Sequence, residues 1–352
     1  MKKILGIILT VLVSSNLFVG CISNTATSSG EGLKKDKKEL TIYTALEEEQ
    51  VTEYIKAFET KFPEIDVNLI MDSHGIISAK VLSEKENPQA DVIWGLSAIN
   101  MIGLDKQGLL EPYKPENFSE INKMFMGDIE NPSWIGLTVT ETAFVVNNKE
   151  LDKLGLEVPK SYKDLLKPEY KGLITMSNPA SSGTGYFTVS AILQLMGEEE
   201  GFKYLEDLHA NIGIYTHSGS KPSKLAASGE YPIGISFGYR GIKQKEGGDP
   251  VEVIFPTEGS GWDLESLALN KKDKISEEAK IFMKWALSDE AMKLYSKNAA
   301  ITSIDTGIAA PKGYPENPLE QLIENDLNWA SDNRERVLKT WEENYAKKTE
   351  AK

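Results

Sequence analysis

The chain has 352 residues, 39 basic against 53 acidic side chains, a formal net charge of −14 and one cysteine. An acidic chain of this kind lacks the basic face that nucleic acid binding needs, and a single thiol builds no internal disulfide framework. Arginine is scarce: Arg240, Arg334 and Arg336 are the only three.

Lys2 and Lys3 precede an apolar run over residues 4–18. That run is short for a membrane-spanning helix and right for a signal-peptide core. Cys21 follows directly, and Leu17-Phe18-Val19-Gly20-Cys21 resembles a bacterial lipobox, in which the cysteine is lipidated and becomes the new first residue. Residues 1–20 are therefore expected to be a lipoprotein signal peptide and Cys21 the lipidation site. Removing Lys2 and Lys3 leaves 37 basic and 53 acidic side chains, a net −16. Residues 21–38 are rich in Ser, Thr and Gly and then in charge, so they bury nothing and read as a flexible tether. Such a tether spans roughly 25 Å. The remaining residues, about 310, exceed what one core usually serves, so two lobes are expected.

Residues 39–44 alternate as a strand, and Tyr54, Ile55, Phe58 and Phe62 fall at helical spacing over residues 51–62. A strand at 67–71, a helix at 76–86 and a strand at 90–94 complete a strand–helix repeat, which implies a parallel, doubly wound α/β sheet. Ligands in such sheets sit beyond the carboxyl ends of the strands, here at Thr44, at Asp72-Ser73-His74-Gly75 and at Trp94-Gly95. A second unit begins after residues 142–147. It has strands near 173–176 and 233–237, a helix at 185–196 and a strand at 251–255. Residues 262–269 read as a strand returning to the first unit, and helices follow at 277–287, 290–296 and 319–345.

Ser177-Asn178-Pro179-Ala180-Ser181-Ser182-Gly183-Thr184-Gly185 follows a strand and opens a helix. Small residues admit close approach, hydroxyls donate, and the first helical amides have no internal partner, so the stretch suits a tetrahedral anion. It also suits a plain helix cap. Thr216-His217-Ser218-Gly219-Ser220-Lys221-Pro222 and Ser73-His74-Gly75 are similar strand-to-helix turns.

Those blocks resemble the 2-aminoethylphosphonate-binding proteins of ABC importers. So do Tyr43-Thr44-Ala45-Leu46-Glu47, Asn87-Pro88-Gln89-Ala90-Asp91-Val92, Trp94-Gly95-Leu96 and Gly234-Ile235-Ser236-Phe237, and the likeness runs over residues 39–340. The resemblance implies a type II periplasmic-binding fold, related to ferric-iron and thiamine binders. Two doubly wound lobes, 39–140 with 263–352 and 141–262, would be joined by two hinge strands near Thr140 and Glu265. It places the phosphonate among Thr44, Ser73, Ser181, Ser182, Gly183 and Thr184, with Ser218 and Tyr239 closing from the other side and His74 standing where a hydroxyl is expected. It further implies a monomer that delivers its ligand to ABC permease subunits from an extracytoplasmic, lipid-anchored position, with no cofactor and no catalysis.

The ammonium group needs a carboxylate or an aromatic face. Glu141 at the hinge, Asp263 and Asp72 are the candidates, Trp94 and Trp262 could line the two-carbon chain, and Arg240 could pair with the phosphonate or with a protein carboxylate. Gly234-Ile235-Ser236-Phe237-Gly238 fits a nucleophile-elbow pattern, but His74, His209 and His217 all precede Ser236, against the order that pattern requires. Another phosphate-bearing solute, such as thiamine phosphate, is an alternative ligand. So is ferric iron, although the adjacent tyrosine pair typical of iron binders of this fold is missing from the sequence.

Overall fold

The structure is a computed structural model that describes residues 37–351. The signal segment, Cys21 and nearly all of the tether lie outside the described residues.

The strands run β1 Lys38–Thr44, β2 Ile65–Met71, β3 Val92–Ser97, β4 Leu110–Glu111, β5 Ile135–Asn147, β6 Ile174–Ser177, β7 Ile212–Thr216, β8 Ile233–Phe237, β9 Val251–Ile254 and β10 Trp262–Asn270. They form one continuous sheet in the order β2-β1-β3-β10-β5-β8-β6-β7, with β4 beside β10 and β9 beside β5. β1, β2 and β3 are mutually parallel, as are β6, β7 and β8. β10 and β5 run antiparallel between these two sets.

β5 makes two lobes out of one sheet. Its first half pairs with β10, from Ile135 opposite Leu267 to Glu141 opposite Trp262. Its second half pairs with β8 and β9, from Thr142 opposite Phe237 to Asn147 opposite Val251. Twelve of its thirteen residues are buried, and the exception is Thr140, at the join. Two apolar cores lie on either side of that join. The first gathers side chains from β1, β3 and β10 with the helices Glu48–Lys61 and Glu277–Ala286. The second gathers Phe144, Met176, Ile192 and Tyr215.

Two expectations change here. The expected helix 319–345 is broken into Leu327–Asp332 and Arg334–Tyr345, and Asp326 caps the first piece through Asn328 and Trp329. The helix Arg334–Tyr345 packs on the second core, and Leu327–Asp332 touches both cores through Leu327 and Ala330, so 263–352 does not belong to one lobe. Ala330, Val337, Trp341 and Tyr345 enter the second core, with the Trp341 ring 4.9 Å edge-on from Tyr215. The chain end then straps the second lobe: Asn178 Nδ2 donates to Thr349 Oγ1 at 2.9 Å, and His217 N donates to Glu350 Oε1 at 2.6 Å.

Candidate functional site

A cleft of about 1300 Å³ opens where the ends of β1, β3, β6 and β7 face each other across the β5–β10 join. Three strand-to-helix turns line it. On the second lobe, Ser182 caps the helix Gly183–Met196, its Oγ accepting from Gly185 N at 3.3 Å. The amides of Gly183 and Thr184 have no intrahelical acceptor and stand at the positive end of the helix. Ser181 Oγ donates to His217 O at 3.1 Å, which ties this turn to the neighbouring Ser218-Gly219-Ser220 turn. Ser236 Oγ donates to Gly219 O at 2.8 Å from inside β8. Ser236 is therefore a buried brace for that turn and not a nucleophile on an elbow.

The first lobe supplies Ser73 and His74 at the start of the helix His74–Ser83. Ser97 N donates to His74 Nδ1 at 3.1 Å. That bond fixes the neutral tautomer with the proton on Nε2, and burial together with the nearby Arg334 charge lowers the ring's pKa to about 4. His74 thus offers an N–H in place of the expected hydroxyl, with Nε2 beside Gly183. A Cβ built on Gly183 would lie 3.2 Å from it.

Arg334 completes this wall, and the sequence reading did not select it. It opens the helix Arg334–Tyr345, where the dipole disfavours a cation. Burial depresses its pKa, its Nε has no hydrogen-bond partner, and its guanidinium lies 5.1 Å from the Tyr186 ring centroid. No carboxylate pairs with it among the described residues. A desolvated arginine held against its helix dipole and left unpaired at a cleft is poorly explained by packing and well explained by an absent anion.

The lining also carries carboxylates: Glu47 and Glu265 face the cleft, as does Asp72, which directly precedes Ser73 and accepts from its amide at 2.7 Å. Thr138 Oγ1 donates to Glu265 Oε2 at 2.7 Å, leaving the other oxygen of that carboxyl available. Burial raises Glu265 to about 7.

The remaining expected residues divide. Ser73, His74, Ser181, Ser182, Gly183, Thr184, Ser218 and Asp263 all line the cleft. Asp263 is committed to the fold, however. It accepts from Leu264 N at 2.7 Å, from Ile99 N at 3.4 Å and from the Ser97 hydroxyl, at the start of the helix Ala98–Lys106. Thr44 is fully buried, its Oγ1 accepting from Leu46 N at 3.2 Å. Trp94 is 0 % exposed and packs between Tyr54 and Phe282, so it is a core side chain. Trp262 is also buried and donates from Nε1 to Ile323 O at 2.9 Å. Glu141 and Tyr239 lie in a separate chamber behind the cleft. Arg240 pairs with Glu49 at 2.6 Å across the two lobes and is not free for a ligand.

Burial raises the pKa of Glu141 to about 8 and of Asp263 to about 7. Raised carboxyls add stability below their ordinary values near 4 and lose it as the pH climbs through 7 and 8. His74 acts oppositely, costing stability as the pH falls from 6.5 towards 4. Three carboxyls outweigh one imidazole. Ligand-free protein in a buffer containing only organic cations is expected to melt at a lower temperature at pH 8.5 than at pH 5.5. Equal melting temperatures would show that these carboxyls are not desolvated.

The family model described as bacterial extracellular solute-binding protein matches residues 87–332. The chain belongs to that family. An uncharacterized protein of Haemophilus influenzae is 35% identical over 81% of this chain and 84% of its own length. The periplasmic binding protein AfuA from Actinobacillus pleuropneumoniae, solved with fructose-6-phosphate bound, superposes with a TM-score of 0.82. It is 32% identical and covers 88% of this chain and 99% of its own. A putative 2-aminoethylphosphonate-binding periplasmic protein of Salmonella typhimurium is 25% identical over only 57% of each chain. The fold is the type II periplasmic-binding fold. The specific likeness to aminoethylphosphonate binders is weaker than the sequence blocks suggested. No helix among the described residues of this solute-binding protein is long and apolar enough to cross a membrane.

Proposed function

We propose that this protein captures an organic phosphate or phosphonate by its phosphoryl end and delivers it to an ABC permease. The unpaired Arg334 beside the free amides of Gly183 and Thr184 carries the reading. Charge-assisted bonds from Arg334, His74 Nε2, the Ser182 hydroxyl and those amides would replace the hydration of a phosphoryl dianion. The lobes close over it about the join at Thr140. A cleft of about 1300 Å³ leaves room for a body of sugar size beyond the phosphoryl group, and AfuA, similar over nearly its whole length, was solved with a sugar phosphate. The lead ligand is therefore a sugar monophosphate, its hydroxyls donating to Glu47, Asp72 and Glu265. The same three carboxylates favour a second reading, 2-aminoethylphosphonate, whose ammonium they would receive.

Calorimetric titration with fructose-6-phosphate, fructose, 2-aminoethylphosphonate, inorganic phosphate, thiamine phosphate and ferric citrate tests both. The reading expects fructose-6-phosphate to bind and fructose not to bind. Tighter binding of 2-aminoethylphosphonate selects the second reading, and binding of ferric citrate alone removes both.

The lipid anchor at Cys21 belongs to the same proposal, because a receptor must stay near its permease. Cys21→Ser is expected to move the protein from the membrane fraction to the soluble extracytoplasmic fraction. Retention on the membrane would refute the anchor.

A further inference from the structure

Both cleft turns of the second lobe are held from behind by residues that do not line the cleft. Asn178 begins the first turn. Its Oδ1 accepts from Ala180 N at 2.8 Å and its carbonyl oxygen from Ser182 N at 2.9 Å, so this one residue sets the backbone path into Ser181 and Ser182. The far end of its side chain is fixed in turn, because Asn178 Nδ2 donates to Thr349 Oγ1 at 2.9 Å. The second turn repeats the scheme with the next residue along. His217 N donates to Glu350 Oε1 at 2.6 Å, Lys221 Nζ pairs with Glu350 Oε2, and Glu350 N donates to Tyr215 O at 2.9 Å. Lys348 Nζ ties the segment down by donating to His209 O and, at 2.7 Å, to Ile212 O. Thr349 and Glu350 are both absent from the cleft lining, which holds Ala180 to Thr184 and His217 to Gly219.

These contacts are polar. The helix Arg334–Tyr345 is held by Val337, Trp341 and Tyr345 in the second core, and residues 348–350 add no side chain to that core. Fold stability and turn placement therefore rest on different parts of the same stretch of chain. The Glu350 side chain is only 12 % exposed, where a charge-assisted bond to an amide is stronger than a pair in open water. Without it the second turn loses its outer brace, and so does the first, through the bond from Ser181 Oγ to His217 O. A solute would then have to order both turns as it binds. We infer that Glu350, seconded by Thr349, is a positioning residue for the solute site: it holds the two anion-facing turns in register without touching what they bind. The inference rests on those turns forming the solute site, as proposed above, and on no particular solute.

Glu350→Ala and Glu350→Gln in the otherwise intact protein test it with two readouts. In ligand-free protein, amide hydrogen exchange over residues 178–184 and 217–221 is expected to quicken about tenfold in Glu350→Ala, while exchange in the helix Arg334–Tyr345 stays as it was. The melting temperature should fall by no more than roughly 2 °C. Affinity for fructose-6-phosphate, or for 2-aminoethylphosphonate if the titration selects it, should fall about tenfold. Glu350→Gln keeps an oxygen that accepts from His217 N and should recover most of that loss. Unchanged exchange in the two turns would overturn the inference, as would quickened exchange with wild-type affinity. Faster exchange throughout the second lobe with a large drop in melting temperature would make Glu350 a structural residue only and overturn it equally. Wild-type protein that binds none of the solutes named above counts against the functional reading instead, and the exchange comparison then decides by itself whether the segment positions the turns.

Discussion

Arg334→Gln is expected to weaken ligand binding about 100-fold while leaving the ligand-free protein as stable as before or slightly more so. Truncating one partner of a buried, hydrogen-bonded charge pair costs roughly 2–5 kcal/mol, and each 1.4 kcal/mol is a factor of ten in affinity. The opposite behaviour of stability follows from the ligand-free geometry. Arg334 is desolvated, opens a helix whose dipole opposes it, and leaves Nε without an acceptor. Removing a charge that the empty protein accommodates poorly relieves that strain. A merely structural arginine would show the reverse pattern, with stability falling and affinity following it down. Titration calorimetry and thermal melts on the same sample separate the two. Arg334→Lys should recover part of the affinity, because an ammonium supplies charge without the guanidinium fork. Unchanged affinity in Arg334→Gln would remove the phosphoryl end from this wall.

Much of this architecture is legible in the sequence because its signals are local. Alternation in residues 39–44 and helical spacing at Tyr54 and Phe58 read directly as β1 and the following helix. The turn Ser181–Thr184 announces itself by small and hydroxylated residues after a strand. What the sequence hides is tertiary. Trp94 lies in a strand buried on both faces, so alternation cannot say whether it meets a ligand or the core. Glu141 reads as a charge with no structural reason at the hinge, which is true. Its side chain lines the rear chamber instead of the cleft, though, and periodicity does not show that direction. Arg334 escapes for a more instructive reason. Read as the middle of one long helix, it is an ordinary surface arginine. Once the breaks at Asp326 and Asn333 are placed, it becomes the first residue of a new helix, where a cation is out of place. The signal was available in the cap residues rather than in the arginine.

The contact between lobes yields the other large effect. Gly183 opens the anion-facing helix, and a Cβ there would lie 2.6 Å from Cδ2 and 2.9 Å from Cγ of His74. The imidazole cannot swing aside freely, because Ser97 N holds its Nδ1. His74 and Gly183 come from different lobes, so the clash exists only when the lobes meet. Gly183→Ala therefore raises the energy of the closed state and leaves an opened state untouched. Overpacking of this kind costs about 1–3 kcal/mol, which by population shift lowers affinity about tenfold to hundredfold. The melting temperature of ligand-free protein that opens in solution should barely move. The cause can be checked by coupling. In a His74→Ala background the ring is gone, so adding Gly183→Ala should cost almost nothing further. Additive losses in the double variant would show that alanine at 183 acts on the helix terminus itself. Wild-type affinity in the single variant would mean that the two lobes do not touch at this point when ligand is bound.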